Sequence, residues 1–134
     1  MRTIAFLATL FLAAYTVAAD GDEYQPREDG RSLYYLCDSK SSADEGNMCT
    51  TYQVKKRTAG TNFYVNADTG CTAYTVTIQE SPLASGGEWH NLGTLSDTGN
   101  TALHVTGFAA KYIRADLTTL TNCTDFDLLL EVNP

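Results

Sequence analysis

The chain has 134 residues, 43% of them hydrophobic, and its 16 acidic side chains outnumber 9 basic ones for a net charge of −7. This length suits one domain with a modest core. An acidic surface repels phosphate backbones, and no basic run exceeds Lys55-Lys56-Arg57, so neither nucleic acid nor electrostatic docking on an anionic membrane is expected.

Met1 and Arg2 open onto an apolar run over 4–15, and Val17, Ala18 and Ala19 precede the acidic Asp20. A basic start, a short apolar centre and small residues before the cut read as a secretory signal peptide over 1–19. The run is shorter than the ~20 residues a spanning helix needs, so no membrane insertion is expected. The mature product is therefore expected to be secreted, extracellular or periplasmic, or held at a cell surface. Residues 20–31, reading DGDEYQPREDGR, are polar and contain Pro26, which suits a flexible lead-in. Residues 32–134 form the expected folded domain.

Eight short strands are expected there, over 33–37, 50–56, 62–66, 73–80, 89–95, 101–106, 112–117 and 126–132. They are rich in Tyr, Val, Thr, Ile and Leu and are separated by Gly, Asn, Asp and Ser, the punctuation of strands and turns. No window carries a helical repeat, so the class is all-β. Period two then assigns faces. Tyr74, Val76 and Ile78 point inward, as do Leu103 and Val105, Ile113, Ala115 and Leu117, and the row Phe126, Leu128, Leu130 and Val132. Ala102 and His104 point outward, and so do Tyr112, Arg114 and Asp116. Sheets packed on one face and wet on the other stack as an antiparallel sandwich.

All four cysteines, Cys37, Cys49, Cys71 and Cys123, lie beyond the leader. An even count in a small exported domain argues for two disulfides, with three pairings open. Cys37 and Cys49 flank the polar loop DSKSSADEGNM between two extended runs, which favours their pairing and leaves Cys71–Cys123 to tie the start of one strand to the start of the last. No cysteine pair has zinc-knuckle spacing and neither histidine lies near one, so no metal is expected.

No catalytic constellation is expected either. His90 and His104 are the only histidines, and there is no G-x-S-x-G elbow or H-E-x-x-H pair, so no enzyme activity and no cofactor is anticipated. Asp125, Asp127 and Glu131 share one parity and read as a charged outer face that keeps the last strand soluble. Asp38, Asp44, Glu45 and Asn47 share a loop, but their spacing is not that of an EF-hand, and a solvated loop is expected. The aromatic residues Tyr34, Tyr35, Tyr52, Tyr64, Tyr74, Tyr112 and Trp89 are the one positive hint of a ligand, since aromatic faces stack on sugar rings and also populate protein interfaces. Tyr35, Tyr112 and Trp89 are the ones to watch, with core packing the favoured role for Trp89. The outward residues Tyr35, Tyr112, Arg114, His104 and Asp116 are the candidate binding set. Asn122-Cys123-Thr124 is an N-x-T sequon, which makes Asn122 the expected glycosylation position in an exposed turn.

The segments YTVTIQESPLASGGEW, FAAKYIRADL and DFDLLLEV resemble galactose-binding-like jelly rolls of the discoidin or coagulation-factor C-domain type. The combination of W-x-x-L-G-T-L with Y-I-R-A is also similar to small bacterial and phage-associated β-sandwich proteins. The resemblance covers the second half of the chain. It implies an eight-stranded jelly roll with binding loops at one end, and it transfers no ligand residue. The expected function is that of a secreted, non-catalytic structural or protein-interaction subunit, able to form a homo-oligomer or filament through its edge strands. The alternative is a carbohydrate-binding module that uses exposed tyrosines and the loops after Glu80 and Thr106.

Overall fold

The computed structural model describes residues 23–26, 32–54, 60–83, 86–106 and 111–133. The stretch over 1–19 expected to be a leader, the basic triplet at 55–57 and the loop after Thr106 lie outside the described residues.

Nine strands are present: β1 (Glu23–Pro26), β2 (Ser32–Lys40), β3 (Tyr52–Gln53), β4 (Gly60–Ala67), β5 (Ala73–Ser81), β6 (His90–Asp97), β7 (Ala102–Thr106), β8 (Tyr112–Thr121) and β9 (Phe126–Asn133). They build a five-stranded sheet in the order β1-β2-β9-β4-β7 and a four-stranded sheet in the order β3-β8-β5-β6. All pairings are antiparallel. Leaving β1 aside, second pairs with ninth, third with eighth, fourth with seventh and fifth with sixth. One long nested hairpin, folded at the β5–β6 turn and rolled into two layers, produces that pattern, which is a jelly roll; the strand grammar anticipates the antiparallel sandwich.

Two departures concern the edges. Glu23–Pro26, within the stretch read as a lead-in, adds a strand to the free side of β2, with Gln25 opposite Leu33 and Pro26 opposite Ser32. Conversely, the strand expected over 50–56 is reduced to two residues, Tyr52 and Gln53, opposite Ile113 and Tyr112. The sheet edge just upstream is irregular. Gly46 N–H donates to Leu117 O (2.6 Å), Leu117 N–H to Asn47 O (3.0 Å) and Cys49 N–H to Ala115 O (2.9 Å). Glycine suits the start of this segment, because Gly46 sits at φ +81°, where a Cβ is disfavoured.

The core lies between the sheets where alternation places it. Tyr74, Val76, Ile78, Ile113, Ala115, Leu117, Phe126, Leu128 and Leu130 are all buried, with Leu103, Val105 and Val132 packed against them at the margin. Two bulges adjust the pattern. On β2 the register shifts between Tyr35 and Cys37, which turns both Leu36 and Cys37 inward, each fully buried. On β8 Thr118 is the extra residue between Leu117 opposite Val76 and Thr119 opposite Thr75, so inward parity resumes at Leu120. Where the sheets approach at one side, a Cβ on Gly93 of β6 would lie 2.6 Å from Leu103 Cδ2 of β7; glycine is what lets these strands close the sandwich.

Both expected disulfides form, Cys37–Cys49 and Cys71–Cys123, and among the described residues no cysteine is free. The first joins the two sheets, tying β2 to the segment running beside β8, whereas the second closes the end of the β5–β8 ladder, tying the residue two before β5 to the loop between β8 and β9. In a loop-closure account they contribute about 3 and about 4 kcal/mol for enclosed loops of these lengths.

Candidate functional site

The five outward residues singled out from the sequence do not form one site. Tyr35 on β2 and His104 on β7 belong to the outer face of the five-stranded sheet, whereas Tyr112, Arg114 and Asp116 line the outer face of the four-stranded sheet.

On the five-stranded sheet, register places Glu131 opposite Asn62, and Asn62 opposite His104. Asn62 Nδ2 donates to Glu131 Oε1 at 2.8 Å, and its Oδ1 lies 2.7 Å from His104 Nδ1. A carboxamide oxygen only accepts, so that histidine nitrogen carries the proton. The adjacent row holds Tyr35, Leu129, Tyr64 and Ala102, with the Tyr64 ring edge-on to His104 at 6.3 Å. A third row centres on Asp127, whose carboxylate accepts from Ser39 N–H (2.8 Å) and Asn66 Nδ2 (3.3 Å). The expected solvated acidic face is corrected here: Glu131 is only 1% exposed and Asp127 9%. The reason is strand order. β9 lies in the middle of its sheet between two long neighbours, so its outward carboxylates are hemmed in on both sides and held by hydrogen bonds. Asp125, beyond the strand end, is exposed.

The four-stranded sheet carries a different row. Gln79 lies opposite Arg114 on one side and Asn91 on the other. Arg114 Nε donates to Gln79 Oε1 at 2.8 Å, and Gln79 Nε2 donates to Asn91 Oδ1 at 3.0 Å. The Arg114 guanidinium stacks over the Trp89 ring at 4.0 Å from its centroid, the geometry of a cation–π contact. Trp89 is half-buried against this arginine, which corrects its assignment to the core. At the end of β8, Lys111 Nζ lies 5.6 Å from the Tyr112 centroid. The remaining outward positions are hydroxyls paired across strands, Thr75 with Ser96 (3.0 Å) and Thr77 with Thr94 (3.4 Å). Asp116 lies opposite Thr77. Gln79 and Asn91 were missed by the sequence reading, and Trp89 was weighed as a ligand contact but favoured for the core. Parity alone put Gln79 on this face, but its partners depend on a bulge in β6, where Leu92 is the extra residue.

The acidic loop after β2 is structural. Ser41 and Asp44 form a capping box on a short 3₁₀ turn, Ser42–Asp44, and Glu45 Oε2 accepts from Leu120 N–H at 2.9 Å. These side chains serve the backbone, which corrects the picture of a merely solvated loop. Among the described residues no group of three or more His, Cys, Asp or Glu side chains is placed to hold a metal ion. Nor, among the described residues, is any helix long and apolar enough to cross a membrane.

At the β8–β9 turn, Asn122 is exposed at φ +55°, a conformation asparagine tolerates. Its Nδ2 donates to Thr72 Oγ1 at 3.0 Å. Thr124 Oγ1 donates to Asp68 Oδ2 at 2.8 Å, and Asp68 also accepts from the backbone of Thr124 and Gly70. The Thr124 hydroxyl, followed by these backbone donors, lowers the Asp68 pKa below its ordinary value against a smaller opposing effect of desolvation. Inside the sandwich, burial is the main cause that raises the Tyr74 pKa, reinforced by the charge of Asp97 and opposed by the hydrogen bond with Thr101.

No family model matches the chain, and no curated protein does. Among solved structures, the PBSX exported protein XepA matches over 99% of this chain at 16% identity with a TM-score of 0.59. This chain spans half the length of XepA. PirA matches over 76% of this chain and 82% of its own at 14% identity, with a TM-score of 0.35. XepA supports the fold. The galactose-binding-like resemblance of the second half is not confirmed by this match.

Proposed function

We propose that the chain is an exported, non-catalytic jelly roll that serves as an extracellular structural or interaction subunit, presenting its flat sheet faces and able to associate with copies of itself. The layout of its polar side chains carries this reading. Arg114–Gln79–Asn91 is a cross-strand row on an outer face, a form suited to gripping a surface or an extended chain, while Glu131–Asn62–His104 braces the opposite face. Catalysis instead calls for groups converging on a shared reacting atom. Two disulfides support an oxidising compartment, in line with the leader-like N-terminus and with the exported character of XepA.

Edge strands are the natural route to self-association. Strand β7 ends the five-stranded sheet with its exposed Ala102 and His104. Size-exclusion chromatography with light scattering on the mature chain tests this. Mass is expected to rise with concentration and to fall back on Ala102→Lys, because an edge lysine opposes strand addition. A monomer at every concentration would overturn self-association.

The alternative, a carbohydrate-binding module, is favoured by one specific observation, the aromatic and amide row around Trp89.

A further inference from the structure

We infer that the outer face of the four-stranded sheet is a binding site for a neutral glycan, centred on Trp89, Arg114, Gln79 and Asn91. The inference deepens the carbohydrate-binding alternative and rests on the domain's acting through a sheet face. It does not require self-association.

The chemistry of the face selects the ligand. Its outward positions on β5, β6 and β8 are mostly hydroxyls and amides beside Arg114 and Asp116, with an aromatic pair, Trp89 and Tyr112, toward one end. No large aliphatic side chain stands among the paired outward positions of β5 and β6 with β8, and the exposed Met48, bridged to Asp116, stands at the margin. A protein interface would want a desolvated apolar centre, and the centre of this face, around Gln79, is polar. A sugar ring wants what is here: an aromatic plane for its C–H face and planar donors and acceptors for its hydroxyls.

Arg114 is preorganised for that work. Its Nε is committed to Gln79 and its plane to the Trp89 ring, so the guanidinium is fixed while its terminal N–H groups supply further donors. Gln79 in turn is held by Asn91. Side chains already ordered lose less entropy when a ligand arrives. Neighbouring strands lie about 4.8 Å apart, so the three-strand row runs about 10 Å across the sheet. That length matches two linked pyranose rings and points to an oligosaccharide or polysaccharide chain.

Charge separates neutral from anionic glycans. Arg114 shares its face with Asp116, two residues along the same strand, and the whole chain carries a net charge of −7. A polyanion meets repulsion on approach. A neutral chain does not.

Affinity electrophoresis of the mature protein tests this in native gels containing xylan, mannan or a soluble β-glucan, with polygalacturonate and heparin as anionic probes. Retardation by at least one neutral polysaccharide is expected. Trp89→Ala and Arg114→Lys should each weaken it about tenfold or more, the second because lysine keeps the charge but loses the planar fork. Gln79→Ala should weaken it about threefold, the loss of one hydrogen bond. Asn66→Ala, on the opposite face beside Asp127, should leave it unchanged. Circular dichroism checks that each variant folds, and the milder Gln79→Ala keeps the test open if Trp89→Ala does not. Retardation by anionic probes alone, by none of the probes, or by neutral ones with equal strength in the Gln79 and Arg114 variants would each overturn the inference. Failure here alongside concentration-dependent association would leave the interaction-subunit reading standing.

Discussion

The two outer faces are built by the same period-two rule, yet they differ in kind. On the five-stranded sheet the outward carboxylates of β9 are sunk between β2 and β4, and Glu131 is as buried as a core leucine. On the four-stranded sheet the outward side chains of β8 are only half-buried, because the two-residue β3 gives little cover on that side. Parity decides which way a side chain points. The length and order of neighbouring strands decide whether water reaches it. Polar residues on the first face therefore hold the sheet together, and those on the second are the ones we propose meet a ligand.

Mutational effects should follow that division, after the two disulfides. Cys71→Ser with Cys123→Ser is expected to cost about 4 kcal/mol in urea unfolding, and the Cys37–Cys49 pair about 3 kcal/mol, in the order of their enclosed loops. Glu131→Ala should come next, at about 2–3 kcal/mol, since it removes a charged acceptor and strands Asn62. A loss under about 0.5 kcal/mol would place Glu131 with ordinary surface residues and erase the contrast between the faces.

Smaller effects sharpen the comparison. Tyr74→Phe should cost about 1 kcal/mol, because the buried hydroxyl donates to Gly99 O and pairs with Thr101 Oγ1. Its raised pKa adds an alkaline signature. The stabilising contribution is complete below the unfolded value near pH 10 and is lost as pH climbs through the higher folded value. Stability curves of the wild type and Tyr74→Phe should therefore converge above about pH 10. Asp68 behaves in the opposite sense. Its pKa is lowered, so its contribution is complete above the ordinary value of 3.8 and disappears as pH falls through the lower folded value. Arg114→Ala should be the mildest change, within about 1 kcal/mol, as expected for a partly exposed cation.

Much of this was legible in the chain. Alternation over 73–80 placed Tyr74, Val76 and Ile78 inside, and the polar loop between Cys37 and Cys49 suggested their pairing. Features that depend on distant strands were not legible. Glu131 read as a solvated charge because nothing local shows that β9 will be central. Trp89 read as core because its partner, Arg114, is 25 positions away and meets it only after β5, β6 and β8 assemble. The binding set was split for the same reason: Tyr35 and His104 shared outward parity with Tyr112, Arg114 and Asp116 while belonging to different sheets. Bulges at Thr118 and Leu92 break the period where sequence carries no warning.

Trp89 is the chain's single tryptophan, so its fluorescence reports directly on the face assigned to ligand. Titration of the mature protein with the neutral polysaccharide that most retards it should give a saturable change in Trp89 emission, weakened by Gln79→Ala and untouched by Asn66→Ala. An emission spectrum that does not move, or a response that Asn66→Ala abolishes and Gln79→Ala leaves intact, would contradict the division of labour between the two faces.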